Sequence, residues 1–245
     1  MRNVLDVVQV DLERDYVMRV RLKFSKIGKI KYVGHLDTMR LFQRAIKVAN
    51  LPVSYSQGFS PHSLVYFALP LAVGMSSEGE YMEIMMDEVV SPSEVKERLQ
   101  KVFVQGITLL DAYEVEEKST SLMSLVQGAD YTIILKCENA SITAQSLADK
   151  VENSDELIVL KKGKKGIAPV DIKPLILKSD FTQENDTIKI DLQVYAGSSK
   201  NLNPDLFVKA LLGEEAYTMQ VSRKELYTEE KEGLVPIYTV GRINE

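Results

Sequence analysis

The residues best placed to do chemistry lie between Arg19 and Tyr66, where nine Lys/Arg and both histidines of the chain stand against one acid, Asp37. The whole chain carries a formal net charge of −5, so this local cation excess points to an anionic partner, nucleic acid foremost. Arg19, Arg21 and Lys23 alternate with Val20, Leu22 and Phe24, the period of a strand with one apolar and one cationic face. On an uncovered sheet face these cations would meet phosphate. The alternative is pairing across the sheet with the acids near Tyr81, Glu83 and Asp87. Asp37, Arg40, Arg44 and Lys47 recur at three- and four-residue steps along one side of a helix. There Asp37 would hold Arg40, leaving Arg44 and Lys47 either for phosphate or for solvent alone.

Two compact motifs could supply specificity. Gly34-His35-Leu36-Asp37 sits at a strand-to-helix junction, where unpaired backbone N–H groups favour an anion. His35 could bind phosphate, move a proton or merely donate to a carbonyl, and Asp37 could act as a first-turn acid. The segment Tyr55-Ser56-Gln57-Gly58-Phe59-Ser60-Pro61-His62 is interrupted by Gly58 and Pro61 and must be a shaped loop. Gln57, Phe59 and His62 could stack on a base and read its edges, or Phe59 could plug the core. Two histidines without suitably spaced cysteines argue against a metal site. The chain has no phosphate-loop, dinucleotide-turn or His-Glu-x-x-His pattern, so no cofactor is expected and binding is favoured over catalysis.

Positioning these residues requires an α+β fold. Strands are expected at 19–25, 64–69, 80–86 and 107–115, with a further extended piece at 30–33, and helices at about 36–49 and from Pro92 to Phe103. Pro52 ends the first helix, and Ser91-Pro92 with Glu94 opens the second. After a polar stretch from Glu116 to Gly128, strands are expected at 131–136, 157–161, near 171–180, 187–195 and 217–223, and helices at 143–151 and 204–212. A basic turn, Lys161-Lys162-Gly163-Lys164-Lys165-Gly166, interrupts this half. Both halves read as β-α-β-β-α-β, which predicts two tandem ferredoxin-like units with antiparallel sheets, at 17–125 and 126–245. Residues 1–16 precede Met18 and read as an N-terminal extension or an upstream start.

A composition of 45% hydrophobic and 27% charged residues suits a globular protein, and no apolar run reaches the roughly 20 residues of a membrane span. With no signal-peptide pattern, a cytoplasmic protein is expected. The one cysteine, Cys137, excludes an intramolecular disulfide and an iron–sulfur cluster held by this chain alone.

The succession Lys26-Ile27-Gly28, Gly34 to Arg40, Leu51 to His62 and Pro70 to Tyr81 resembles the bacterial radical-SAM-linked protein family, a domain of unknown function. The likeness is dense over residues 19–87 and recurs at Val170-Asp171-Ile172-Lys173-Pro174-Leu175-Ile176. Gly34 departs from the family's usual serine, and Ser63-Leu64 from its usual proline and basic residue. The resemblance implies a chain found beside, or fused behind, a radical SAM enzyme, which would be its partner. Such enzymes hold their cluster with three closely spaced cysteines, so this chain would supply recognition and not radical chemistry. Three functions follow. The first is RNA binding through Arg19, Arg21, Lys23, Arg40, Arg44 and Lys47, with His35, Asp37, Gln57, Phe59 and His62 as the specific site. The second is a metal-independent RNA-processing or RNA-modifying enzyme using His35 or His62. The third is an adaptor docking to the radical SAM enzyme.

Overall fold

The computed structural model describes residues 17–116, 119–163 and 166–243, so the N-terminal extension and Lys164-Lys165 of the basic turn lie outside the described residues. The chain runs through β1 (Met18–Lys26), a 3-10 turn (Gly28–Tyr32), α1 (His35–Val48), β2 (Val65–Phe67), β3 (Ser76–Met86), α2 (Pro92–Val102) and β4 (Ile107–Glu114). It continues with α3 (Leu122–Leu125), β5 (Gly128–Cys137), α4 (Ala144–Asn153), β6 (Ile158–Gly163), β7 (Gly166–Asp171), β8 (Ile176–Glu184), β9 (Thr187–Tyr195), α5 (Pro204–Leu212), β10 (Tyr217–Glu230) and β11 (Gly233–Pro236).

Local chemistry explains most boundaries. Alternation in β1 buries Val20, Leu22 and Phe24 against Phe42, Ala45 and Ile46 of α1 and Val95 and Leu99 of α2. The same period in β9 buries Ile188, Ile190, Leu192 and Val194, in a cluster shared with Leu147 and Val151 of α4 and Phe207 and Val208 of α5. Ser91 accepts from the Glu94 amide at the start of α2, and Thr143 and Ser146 form a reciprocal capping box on α4. Beyond α1, Asn50 takes φ 52° and reverses the chain ahead of Pro52.

The strands form one mixed but mostly antiparallel sheet in the order β4-β1-β3-β10-β5-β9-β8, with β2 on β3 and β11 on β10. The two halves of the chain meet where β3 and β10 run parallel, at Ser76 beside Ser222 and Ser77 beside Arg223. β6 and β7 make a separate hairpin. Among the described residues, no helix is long and apolar enough to cross a membrane.

Several local expectations need correction. The extended piece at 30–33 is a 3-10 turn followed by Val33, because the chain turns at Gly28 (φ +68°) after Ile27 bonds to the Gly106 carbonyl. The strand expected at 64–69 shortens to three residues, while that at 80–86 begins at Ser76. The last strand extends to Glu230 across a bulge between Arg223 and Glu225. The polar stretch after residue 116 is also structural: it carries α3 and buries Leu122 and Val126.

Candidate nucleic-acid interface

The cations of β1 do not project from an open face. Arg19 and Arg21 are buried, and Arg21 stands directly opposite Glu83 in the β1–β3 register. Arg19 Nε donates to Glu83 Oε2 at 2.8 Å and Arg21 Nε to Glu83 Oε1 at 2.8 Å. Arg19 Nη1 also donates to the carbonyl and hydroxyl of Ser119, and Arg21 Nη1 to the carbonyls of Ile237 and Val240. Lys23 donates to Glu225 at 2.5 Å and lies 4.7 Å from the centre of the Tyr238 ring. The expectation of solvent-facing phosphate contacts at Arg19, Arg21 and Lys23 is therefore corrected. Segments 119–120 and 237–240 cover that face, and Glu83 and Glu225 pair with its cations. Asp87 plays no part in this, accepting instead from the Ser54 hydroxyl at 2.6 Å.

The cations of α1 remain outside. Arg40 donates to Asp37 at 2.8 Å, with both side chains exposed. Arg44 and Lys47 are exposed and have no ion-pair partner among the described residues. Leu36, Arg40, Arg44 and Lys47 thus form one outward stripe along the helix.

The loop after α1 is built on a fixed base. The Ser54 amide donates to the Met85 carbonyl and the Met85 amide to the Leu64 carbonyl, which ties both ends of the loop to β3. Ser56 and His62 close it: the Ser56 amide bonds to the His62 carbonyl at 2.9 Å, the His62 amide to Ser56 Oγ at 3.0 Å, and Ser56 Oγ meets His62 Nδ1 at 2.8 Å. Gly58 takes φ +118° at the tip, a conformation only glycine adopts without strain. Phe59 is fully exposed there and Tyr55 half exposed, with Gln57 in solvent between them. Phe59 does not plug the core.

His35 belongs to a different place. Its ring meets Phe67 edge-on at 5.7 Å, and Phe67 pairs with Met82, whereas the loop is anchored at Met85. Three strand residues separate the two points, about 10 Å. His35 thus packs on Phe67 and His62 on Ser56, with no contact between the two histidines among the described residues. No group of three or more His, Cys, Asp or Glu able to hold a metal occurs among the described residues. Partial burial, and then the positive charges of Lys26 and Arg223, hold the His35 pKa below the usual histidine value, so the ring is neutral at pH 7.

His35 lines a small, shallow recess with Phe24, Lys26, Thr38, Phe67, Leu69, Leu71 and Glu80. Exposed Tyr32, Leu36 and Val73 flank this end of α1; Val73 Cγ2 lies 3.8 Å from where a Cβ on Gly34 would stand. Lys26 is buried and donates to the Val33 carbonyl at 2.5 Å, and burial pushes its pKa down against the pull of Glu80. Burial likewise pushes the Glu80 carboxyl up, opposed by Arg223. Glu80 Oε1 lies 3.0 Å from Arg223 Nε, a charge contact too poorly aligned to count as a hydrogen bond for either atom. Arg223 Nη2 donates to the Pro70 carbonyl at 3.0 Å. Sequence reasoning missed Lys26 and Arg223 as members of this cluster. The available signals were Lys26 in the run Lys26-Ile27-Gly28 and Glu80 in Glu78-Gly79-Glu80-Tyr81.

Residues 19–204 match the family described as "Uncharacterized protein conserved in bacteria (DUF2344)". The chain belongs to that family. The matched region holds α1, the 55–62 loop and every residue lining the recess, while Arg223 and Glu225 of β10 lie beyond it. Nothing in the description ties the family to radical SAM enzymes, so that pairing stands as a proposal. No curated protein matches the sequence. Among solved structures, the chain is similar to one titled "Crystal Structure of a Cbf5-Nop10-Gar1 Complex", at 10% identity and a TM-score of 0.47 over 84% of this chain and 48% of that one. It is similar to a second, "Structure of H/ACA RNP bound to a substrate RNA containing 2'-deoxyuridine", at 10% identity and TM-score 0.44 over 84% and 46%. A third, an unknown protein from Galdieria sulphuraria, is 10% identical with TM-score 0.25 over 84% and 98%. The chain spans about half the length of the first two.

Proposed function

We propose that this protein is a non-catalytic, cytoplasmic RNA-binding accessory to a radical SAM enzyme, taking single-stranded RNA along the outer stripe of α1 and over the 55–62 loop. One observation carries the reading: Phe59 is held fully in solvent at the tip of a loop closed by the Ser56–His62 pair. A large apolar ring fixed in water costs free energy unless a partner covers it, and base stacking is the use that suits a loop following the exposed cations of α1 in the chain. Arg40, Arg44 and Lys47 are the phosphate contacts in this reading, with Gln57 and Phe59 the base contacts. His62 shapes the loop and Asp37 orients Arg40. The strand orders β4-β1-β3-β2 and β10-β5-β9-β8 support two ferredoxin-like units, 17–125 and 126–245, joined edge to edge. A catalytic role for His35 or His62 has less support: His35 packs edge-on against Phe67, and His62 is used with Ser56 to close the loop.

The test is fluorescence anisotropy with a labelled single-stranded RNA over a salt series. Phe59→Ala should weaken binding by about tenfold, in line with roughly 1–3 kcal/mol per stacked base. Arg44→Gln with Lys47→Gln should flatten the slope of log affinity against log salt by about 1.4, roughly 0.7 for each phosphate contact. Affinity untouched by all three changes would overturn the reading. A radical SAM enzyme that co-purifies despite nuclease, and is lost in Phe59→Ala, would make the same loop a protein-docking element.

A further inference from the structure

Resting on the RNA reading, we infer that Tyr32, which precedes α1 in the chain as Phe59 follows it, is a second base-stacking ring, and that the ligand is an unpaired strand long enough to run the length of the helix. Tyr32 is 65% exposed in the 3-10 turn, two residues ahead of the N-cap Gly34. The backbone on both sides of it is pinned. The Lys31 carbonyl accepts from the Gly74 amide at 2.9 Å, the Val33 amide donates to the Ile30 carbonyl at 3.0 Å, and the Val33 carbonyl accepts from Lys26 at 2.5 Å. A ring on a fixed backbone loses little freedom when a base stacks on it. Two more exposed apolar side chains lie at this end of α1: Leu36 in its first turn, and Val73 in the loop that Gly74 ties to Lys31. Such a group exceeds the singly scattered apolar residues of an ordinary surface and marks a contact site.

Charge decides what covers it. From Lys26 to Leu36 the chain carries three lysines and no acid. Lys29 is exposed with no ion-pair partner among the described residues, and the Lys31 ammonium lies 5.3 Å from the centre of the Tyr32 ring. The first acid beyond them, Asp37, is taken up by Arg40. An exposed ring among unpaired lysines, at the head of the stripe Arg40, Arg44 and Lys47, suits a polyanion whose bases stack and whose phosphates follow the cations. The helix has 14 residues, about 20 Å at 1.5 Å per residue. At roughly 3.4 Å per stacked nucleotide, the stripe takes about six nucleotides.

The chain has no tryptophan, so Tyr32→Trp puts a single indole fluorophore at this position and keeps a ring that can stack. Oligouridylates on either side of that length are titrated into the full-length variant. They should quench the indole, and affinity should rise with length up to about six nucleotides and then level. Tyr32→Ala should weaken the longer strands by about tenfold, while Tyr32→Trp keeps the affinity of the unaltered protein. Phe59→Ala combined with Tyr32→Trp should bind more weakly and still be quenched. RNA that binds without quenching the indole, or binds Tyr32→Ala undiminished, overturns the inference and leaves the RNA reading standing. An unaltered protein that binds no oligouridylate of any length overturns the RNA reading and the inference with it. An indole that responds only to a protein co-purifying despite nuclease overturns the inference in favour of a protein-docking face.

Discussion

Glu83 decides the fate of the strongest cationic motif in the chain. One carboxylate holds both Arg19 and Arg21, each oxygen accepting from a different guanidinium, with all three side chains buried. Such a carboxylate cannot be removed cheaply, because the two charges left behind have no access to water. Glu83→Gln should destabilise the fold by about 3–5 kcal/mol, read as a shift in the urea midpoint with the slope unchanged. A change under about 0.5 kcal/mol would mean that Ser119, Ile237 and Val240 already compensate the arginines. The pairing of Arg21 with Glu83 was one of two alternatives open in the sequence, since neighbouring strands bring residues of opposite charge together. Its companion, Lys23 with Glu225, spans 202 residues and had no local sign.

At the level of elements, the loop behind Phe59 works because its base is rigid. Ser56 Oγ both accepts from the His62 amide and meets its ring, so one hydroxyl sets the loop's closure. Ser56→Ala should cost about 1 kcal/mol in global stability. Hydrogen exchange at the His62 amide should accelerate while β3 amides stay protected, and RNA affinity should fall because Phe59 is no longer held in place. Unchanged exchange at His62 would show that the backbone alone closes the loop. The loop's existence was legible from Gly58 and Pro61, and α1 was legible to within one residue at each end from its apolar spacing. The direction of Phe59 was not, since an aromatic beside glycine fits a core plug or a solvent tip equally well.

At the scale of the molecule, the C-terminal segment completes the N-terminal half. Ile237 is fully buried, its carbonyl and that of Val240 accept from Arg21, and Arg242 pairs with Asp111 of β4 at 3.0 Å. A chain ending at Glu232 should lose about 3 kcal/mol or more, from one buried isoleucine and the two acceptors of a buried arginine. Circular dichroism during urea unfolding would measure it. Full stability in the truncated chain would mean that the sheet face tolerates water.

Sequence alone determined most of the strands and helices, the cap at Ser91, the stripe of Arg40, Arg44 and Lys47, and the presence of a shaped loop. These depend on neighbours within a few residues, where periodicity and backbone chemistry act. Only the tertiary structure decided which cations are free. Alternation in β1 states that Arg19, Arg21 and Lys23 share a face, but burial and charge pairing are contacts between remote segments. That face is covered by residues 119–120 and 237–240 and paired with carboxylates of β3 and β10, so of the six cations expected to contact phosphate it is those of α1 that stay accessible.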